Sequence, residues 1–320
     1  MKFVKNSYKE VVDFVFFNYS HVQNSKIIFE SFAEAGANCE FVTEQNIHEW
    51  QPDVKKQYSC VVVYLHEPDH LAKINDLLDN HERFKKSFLI QHDDTDNPNV
   101  QSWTNRKPDL VMQRELWEGS RNPKGVPVEP FHFPVPSVYD DSFEQVNDVM
   151  FYGCMTNDKR RPFIEKVQEL ANGSLKNLKW DVRIDNYDEI QEKKKETDGG
   201  ATQEYREAIN KCKVALHYFG NSRDSIRIWE AASTKAALVM PEMRTKSVSD
   251  DYMPFKDYTI MSDDLSDLDH KILYTLDNWE NIGRKSQTSF RNRHSPIHVA
   301  QKYRDIVQMW MGPKWRRDYV

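Results

Sequence analysis

The sequence predicts an α/β protein in which two Rossmann-like, doubly wound domains face a cleft. Three observations predict this fold class. Short apolar strands alternate with amphipathic helices along the chain, as in parallel sheets that are covered on both faces. The alternation stops once, at the proline-rich residues 126–139 and the acidic residues 140–148, and then restarts. A length of 320 residues is enough for two domains of ordinary size.

The first half supplies five strand-like segments, at residues 11–17, 39–43, 60–65, 87–91 and 109–113. Each is a short apolar run bounded by turn-forming residues. Residues 25–35 place Ile27, Ile28 and Phe32 on one helical stripe, and Gly36 ends this helix as a C-terminal cap. A second amphipathic helix follows the third strand. These elements predict a first domain over residues 1–147.

The same architecture is used again after the proline-rich hinge. Strands are predicted at residues 149–152, 178–184, 214–218 and 237–240, and helices at 161–170, 205–210 and 225–236. Residues 148–297 therefore form the predicted second domain. Residues 298–320 are predicted to be a C-terminal helix and tail that return toward the first domain. Ligands of such sheets bind at the carboxyl ends of the strands, which places the site in the cleft.

Charge and composition exclude several classes of function. A net charge of −6 is unlike the concentrated basic face of a nucleic-acid-binding protein. No stretch reaches the roughly 20 apolar residues of a membrane-spanning helix, and the first ten residues lack the apolar core of a signal peptide. The four cysteines stand far apart, which indicates neither a zinc site nor a disulfide framework. A soluble protein of the reducing cytoplasm is expected.

The most informative segment is residues 205–242. The strand at 214–218 leads into a loop with Gly220, and the next helix opens with Asp224 or Ser225 as its N-cap. Free backbone N–H groups at such a helix start favour an anion. Arg227 lies one turn inside and offers a bidentate charge to a diphosphate. Glu230 lies on the same helix face, three residues on. The plain alternative is a surface ion pair of about 0.3–0.5 kcal/mol.

Residues 224–231, Asp-Ser-Ile-Arg-Ile-Trp-Glu-Ala, resemble the donor-binding helix of GT-B glycosyltransferases, especially the spore-maturation (CgeB-like) group and family 1 and family 4 members. The resemblance extends over about residues 149–308. It implies that Ser225 and Arg227 hold the phosphates of a nucleotide-diphosphate sugar and that Glu230 accepts hydrogen bonds from the ribose. Asp224 and Gly220 belong to the same donor loop. Sugar transfer to a hydroxyl of a glycan, lipid or protein acceptor would follow.

The resemblance also implies that Gly153 ends the opening strand of the donor domain and that Arg160, in the next loop, reaches the donor phosphates. A solvated helix start is the equal alternative for Arg160. No metal or other cofactor is obligatory in this scheme, because cationic side chains neutralise the leaving diphosphate. The chain departs from the family at residues 233–236, where glycine is common, and lacks a second glutamate and a glycine-rich first turn.

Four residues at predicted strand ends of the first domain are candidate catalytic groups. His92, Asp93 and Asp94 follow the strand at 87–91, where one of them would deprotonate the acceptor hydroxyl, and His21 follows the first strand. Asp94 and Asp96 also form a D-x-D, which suggests a metal-dependent transferase as a rival. A capping loop and a solvated histidine are the plain alternatives. A non-catalytic nucleotide- or sugar-binding protein is the remaining alternative.

Two further motifs receive plainer interpretations. His66-Glu67-Pro68-Asp69-His70 matches a zinc-protease signature, but Pro68 stands where that motif requires helix interior, so the proline is predicted to start a helix instead. The tail at residues 309–317 mixes tryptophan and methionine with cations. Tryptophan side chains are more often packed within the protein, and a weak contact with a membrane surface is the alternative.

Overall fold

A computed structural model describes residues 10–19, 30–34, 36–43, 46–53, 55–64, 68–93, 99, 104–114, 116–117, 120–122, 125–132, 134–155, 158–186, 201–220, 223–246 and 255–312. The chain divides into two compact units. The first comprises Met1–Phe131 and Val299–Val320, and the second comprises His132–His298. The second unit thus starts ahead of the boundary that the sequence suggests at residues 147 and 148. A hydrogen bond to the second unit's own residues contributes to this, since Val138 N–H donates to Ser233 Oγ, 3.0 Å away.

The first unit contains a parallel sheet of six strands. They are β1 (Glu10–Tyr19), β2 (Cys39–Thr43), β3 (Lys56–Tyr64), β4 (Phe88–Asp93), β5 (Leu110–Gln113) and β6 (Val128–Pro130). Their spatial order is β2-β1-β3-β4-β5-β6, and every neighbouring pair is parallel. The last seven residues of β3 are all buried, as expected for a central parallel strand that is covered on both faces.

The second unit contains a parallel sheet of five strands. They are β7 (Asn147–Cys154), β8 (Trp180–Asp185), β9 (Cys212–Leu216), β10 (Ala237–Pro241) and β11 (Thr259–Met261). Their order is β11-β10-β9-β7-β8, and every pair is again parallel. In both sheets the first strand lies between the second and the third. The strand order therefore reverses beside the first strand, which creates a topological switch point.

Helices connect the strands of both sheets. They are α1 (Pro68–Asn80), α2 (Glu82–Lys85), α3 (Arg161–Asn172), α4 (Gln203–Lys211), α5 (Ile226–Ala232), α6 (Leu268–Ser289) and α7 (Pro296–Met311). Pro68 stands at the first position of α1, as predicted, where its missing N–H costs nothing. The predicted fold class, an α/β protein with two Rossmann-like parallel sheets, is confirmed for the units taken singly.

Each sheet carries its own buried cores. In the first unit Phe17, Val61 and Val63 pack against Ile74 and Leu78 of α1. In the second unit one sheet face packs against α4 and α5, where Trp229 is completely buried. The other face packs against α3 and the start of α6. The two faces of β9 thus serve different cores, with Ala215 on the α5 side and Leu216 on the α3 side.

Some elements differ from the prediction. The hinge contains the short edge strand β6, which tolerates Pro130 at its end. Helix α5 ends at Ala232, earlier than predicted, because Ser233 Oγ donates to the Glu230 carbonyl at 2.7 Å and Thr234 Oγ1 donates to that of Ala231 at 2.8 Å. Such local bonds compete with helix continuation. Gly36 ends the helical residues 30–34 with φ +83°, as predicted for a cap.

Candidate functional site

The candidate site lies at the switch point of the second sheet, between the carboxyl ends of β7 and β9. Ligands of open parallel α/β sheets bind at such a point. The residues that the sequence predicts for donor binding all belong to these strand ends or to the segments that follow them: Gly153, Arg160, Gly220, Asp224, Ser225, Arg227 and Glu230. Asn221 and Ser222 of the same loop lie outside the described residues.

Ser225 is the N-cap of α5, as the sequence predicts. Its backbone is extended, and its Oγ accepts a hydrogen bond from the Arg227 N–H at 3.4 Å. Asp224 is completely buried, and its Oδ1 accepts the indole N–H of Trp229 at 2.7 Å. The carboxylate of Asp224 therefore ties the loop to the buried face of α5, while the hydroxyl of Ser225 orders its first turn.

Arg227 and Glu230 form a fixed pair on α5. Nη1 of Arg227 lies 2.7 Å from Oε2 of Glu230, whose side chain is only 2% exposed, whereas that of Arg227 is 32% exposed. The guanidinium carbon also lies 3.8 Å from the ring centroid of Tyr205 on α4. A salt bridge and an aromatic face together hold the guanidinium in one orientation. The Arg227 side chain as a whole is only partly buried.

Arg160 clamps the two strand ends together. Its Nη1 donates to the Cys154 carbonyl at 3.1 Å and its Nη2 to the Tyr218 carbonyl at 2.8 Å, so the side chain bridges the ends of β7 and β9. Arg160 is only 7% exposed, and burial lowers the pKa of its guanidinium, as does the nearby charge of Arg227. Of the two alternatives for Arg160, the solvated helix start is therefore wrong, and contact with phosphate remains a prediction.

Gly153 lies within β7, directly against the ring of Phe151. A Cβ at this position would lie 2.8 Å from Cζ of Phe151, which is tighter than side chains allow without displacement. The absence of a side chain thus leaves room for the Phe151 ring over Gly153. Gly220 lies in the loop after β9 and is partly buried.

His217 is a site residue that sequence reasoning missed. It directly follows β9, is 5% exposed, and its N–H donates to the Val239 carbonyl of β10 at 2.9 Å. Burial, together with the charges of Arg160 and Arg227, lowers the pKa of His217 to about 3. The imidazole is therefore neutral. The sequence feature that could have identified His217 is its polarity, because it interrupts the apolar run that begins at Val214.

The predicted catalytic residues occupy different surroundings. His92 ends β4 and is 1% exposed, with its ring centroid 4.2 Å from that of Phe131 and 5.7 Å from that of Tyr303. Burial lowers its pKa to about 3, and Arg114 contributes. Asp93 is completely buried. Asp94 and His21 lie outside the described residues. The structure thus packs His92 in the core of the first unit, and its catalytic role stays a prediction.

Within the described residues, no group of three histidine, cysteine, aspartate or glutamate side chains is suited to a metal ion. Among the same residues no helix has the length and apolarity to cross a bilayer. The four cysteines, Cys39, Cys60, Cys154 and Cys212, are all free thiols.

Comparison with known proteins agrees with this location. Residues 159–305, which include α3 to α6 and all the residues predicted for donor binding except Gly153, match the sequence profile of a family described as "Glycosyl transferase-like". The matched family is the kind that the residue 224–231 motif resembles. A search for sequence relatives among curated proteins finds no match.

Solved structures share the fold. HepE of Anabaena in complex with UDP-glucose aligns with a TM-score of 0.54 at 10% identity, covering 93% of this chain and 99% of HepE. AviGT4, a glycosyltransferase involved in avilamycin A biosynthesis, aligns with a TM-score of 0.50 at 10% identity, covering 96% of this chain and 97% of AviGT4.

TarM of S. aureus aligns with a TM-score of 0.51 at 14% identity, covering 79% of this chain. The chain spans only 54% of the length of TarM. At these identities the likeness is one of fold.

Proposed function

We propose that this chain is a glycosyltransferase that moves a sugar from a nucleoside diphosphate sugar to a hydroxyl of an acceptor. The observation that carries the proposal is the Arg227–Glu230 pair, fixed at the switch point of a unit whose residues 159–305 match a glycosyltransferase family. A rigid guanidinium on a partly exposed side chain, at the carboxyl edge of a parallel sheet, is suited to a diphosphate. We place the chain nearest the CgeB-like group, on the motif at residues 224–231.

Arg227 is assigned to the diphosphate of the donor. Sugar transfer breaks the bond between the anomeric carbon and the diphosphate, and negative charge develops on the phosphate that leaves. A guanidinium that is already oriented stabilises this charge without rearranging during the reaction. Glu230 and Tyr205 supply the orientation, because they hold Arg227 from two sides. Hydrogen bonds from the ribose to Glu230 are the second role proposed for that carboxylate.

The other donor residues support Arg227. Ser225 orders the first turn of α5, and Asp224 holds the loop before it. Arg160 keeps the ends of β7 and β9 together, so that the loop with Gly220 and the segment after Gly153 line one edge of the sheet. This scheme makes no divalent cation obligatory, since side-chain cations supply the positive charge.

We infer that the donor is a uridine diphosphate sugar. The support is that HepE, whose fold covers nearly all of this chain, was solved with UDP-glucose, and TarM with UDP. We assign the acceptor to the first unit. The proposed catalytic base is one of four residues of that unit: His92, Asp93, Asp94 or His21. A cytoplasmic location and a weak membrane-surface contact of the C-terminal tail complete the proposal.

Binding of nucleotide sugars tests the donor site directly. Wild-type protein is titrated calorimetrically with UDP-, GDP-, ADP- and CDP-sugars, and the titration is repeated on Arg227→Ala and Arg284→Ala. Arg284 is an exposed arginine of α6 and serves as a matched control. The expected result is binding of UDP-sugars by wild type and by the control, with affinity lowered at least tenfold in Arg227→Ala, since a charged hydrogen bond contributes about 1.5–3 kcal/mol.

Unchanged affinity in Arg227→Ala would overturn the assignment of the donor site. Release of UDP from a UDP-sugar, measured with and without EDTA, separates the remaining alternatives. Turnover that persists in EDTA supports the proposed transferase. Loss of turnover in EDTA supports the metal-dependent D-x-D alternative instead. Binding without any turnover, in the presence of oligosaccharide acceptors, supports a non-catalytic sugar-nucleotide-binding protein.

A further inference from the structure

His217 stands on the same sheet face as the Arg227–Glu230 pair. Side chains alternate along a strand, so His217 shares its face with Ala215, which packs against the α4 and α5 core. Its neighbour Leu216 belongs to the core on the opposite face. The imidazole therefore lies at the carboxyl edge of β9, beside the first turn of α5.

The charges around His217 are unusual for a buried position. Both Arg160 and Arg227 lie close enough to act on the imidazole electrostatically. The charge of Arg227 is balanced by Glu230, but within the described residues no carboxylate pairs with Arg160, which is 7% exposed. An unpaired charge is costly to bury. The local environment consequently favours an anion.

Unpartnered buried nitrogen atoms at His217 and Arg160 also favour an anion. Within the described part of the chain, the buried Nε2 of His217 has no hydrogen-bond partner, and neither has the Nε of Arg160. A buried polar atom without a partner is unfavourable for the folded protein. A neutral imidazole can donate one N–H, whereas the two guanidinium groups can only donate. Groups that donate from several directions match a ligand that only accepts.

We propose that His217 is a binding residue for the donor diphosphate, donating a hydrogen bond from Nε2 to a phosphate oxygen that Arg227 also contacts. This inference rests on the proposed function. It assigns to a residue outside the motif at 224–231 a direct contact with the ligand. A neutral donor suits this place, because a third full positive charge beside two guanidinium groups would be repelled.

The test compares UDP with uridine on three variants. His217→Phe keeps a ring but removes both nitrogens, His217→Gln keeps an N–H donor, and His270→Phe alters an exposed histidine of α6 as a control. Titration should give a dissociation constant for UDP about tenfold higher in His217→Phe and within threefold of wild type in His217→Gln. These values follow from the loss or retention of one hydrogen bond to a charged group. The affinity for uridine, followed by NMR, should not change.

A measurement on the wild type covers the case in which His217→Phe does not fold. Addition of UDP should shift the ¹⁵N resonances of the His217 ring, and addition of uridine should leave them in place. Equal weakening of UDP and uridine in His217→Phe, or no shift of the ring nitrogens with UDP, would overturn the inference. A wild type that binds no nucleoside diphosphate would overturn the proposed function itself. The two failures are thus distinguishable.

Discussion

The indole Nε1 of Trp229 donates a 2.7 Å hydrogen bond to Oδ1 of Asp224, and neither side chain is exposed to solvent. The bond joins the loop after β9 to the face of α5 that packs in the core. Arg227 and Glu230 project from the same helix, so the position of their pair depends on this attachment. Asp224, which the sequence assigns to the donor, acts here as a positioning residue.

Replacement of Asp224 should therefore cost stability. Asp224→Ala leaves the Trp229 N–H buried without an acceptor, and the free energy of unfolding should fall by about 1–3 kcal/mol. Asp224→Asn keeps an oxygen acceptor of the same shape and should cost less. Urea unfolding followed by far-ultraviolet circular dichroism measures both. Equal stability of the two variants would show that the hydrogen bond contributes little.

The hydrogen bonds of Arg160 predict that Arg160 contributes more to stability than its neighbour Arg161. Arg160→Lys loses the planar fork that reaches the carbonyls of Cys154 and Tyr218, and it should lower the free energy of unfolding by about 1–3 kcal/mol. Arg161→Lys changes an exposed residue whose ion pair with Asp158 is also exposed, and it should change stability by at most about 0.5 kcal/mol.

Thermal unfolding of both lysine variants, with and without UDP, provides the measurement. Arg160→Lys should also show a smaller stabilisation by UDP, because the strand ends that line the site are no longer held together. If both variants behave like wild type, the fork of Arg160 is not a structural clamp.

The strand pattern could be predicted because it is local. The run from Cys39 to Thr43 is an apolar strand bounded by turns, and the structure has a strand of those bounds. The Arg227–Glu230 pair could also be anticipated, since residues three apart meet on any helix. These features depend on a few neighbouring residues. Tertiary packing did not alter them.

Features that depend on distant residues could not be predicted. His92 stands at a strand end, where a ligand is expected, yet Tyr303 of α7 packs against it from 211 residues along the chain. The pKa of His217 is lowered partly by Arg160 and Arg227, which belong to two other segments of the chain. The sequence alone does not distinguish a buried histidine from a ligand-binding one, because the difference depends on the residues that pack around it.

Gly283 of α6 stands where the structure leaves no room for a larger side chain. A Cβ on this residue of α6 would come within hard-contact distance of the backbone oxygen of Lys235, in the turn between α5 and β10. Backbone cannot move aside as a flexible side chain can, so Gly283→Ala should lower the free energy of unfolding by about 1–3 kcal/mol or more. Elsewhere in a helix the same change stabilises, by about 0.5–1 kcal/mol.

The control for Gly283→Ala is Lys285→Ala, an exposed site two residues along α6. Urea unfolding of the two variants gives the comparison. A stability of Gly283→Ala at or above that of wild type would mean that α6 does not approach the turn so closely.

Buried histidines predict a loss of stability in acid. His132 and His294 are both completely buried, with Nε2 of His132 3.3 Å from Nδ1 of His294. Burial places the pKa of His132 well below its ordinary value, and His294 adds to the effect. The pKa values of His92 and His217, about 3 each, are lowered mainly by burial.

The sign of the pH dependence follows from where protons bind. A histidine of the unfolded chain has a pKa of about 6.5, so above that pH neither state binds the proton. Below it the unfolded chain takes up protons that the folded chain refuses. The free energy of unfolding should then fall by about 1.4 kcal/mol per pH unit for each such histidine, from about pH 6.5 toward the folded pKa.

His132→Phe keeps an aromatic ring against Trp229 but removes one of these titrating groups. The decrease in the free energy of unfolding between pH 7.5 and 5.5 should therefore be smaller in this variant than in wild type by about 1.4 kcal/mol. His270→Phe, at an exposed position of α6, should keep the wild-type decrease. Urea unfolding at the two pH values measures the difference. The same decrease in His132→Phe and wild type would mean that the folded protein accommodates a proton on His132, contrary to its burial beside His294.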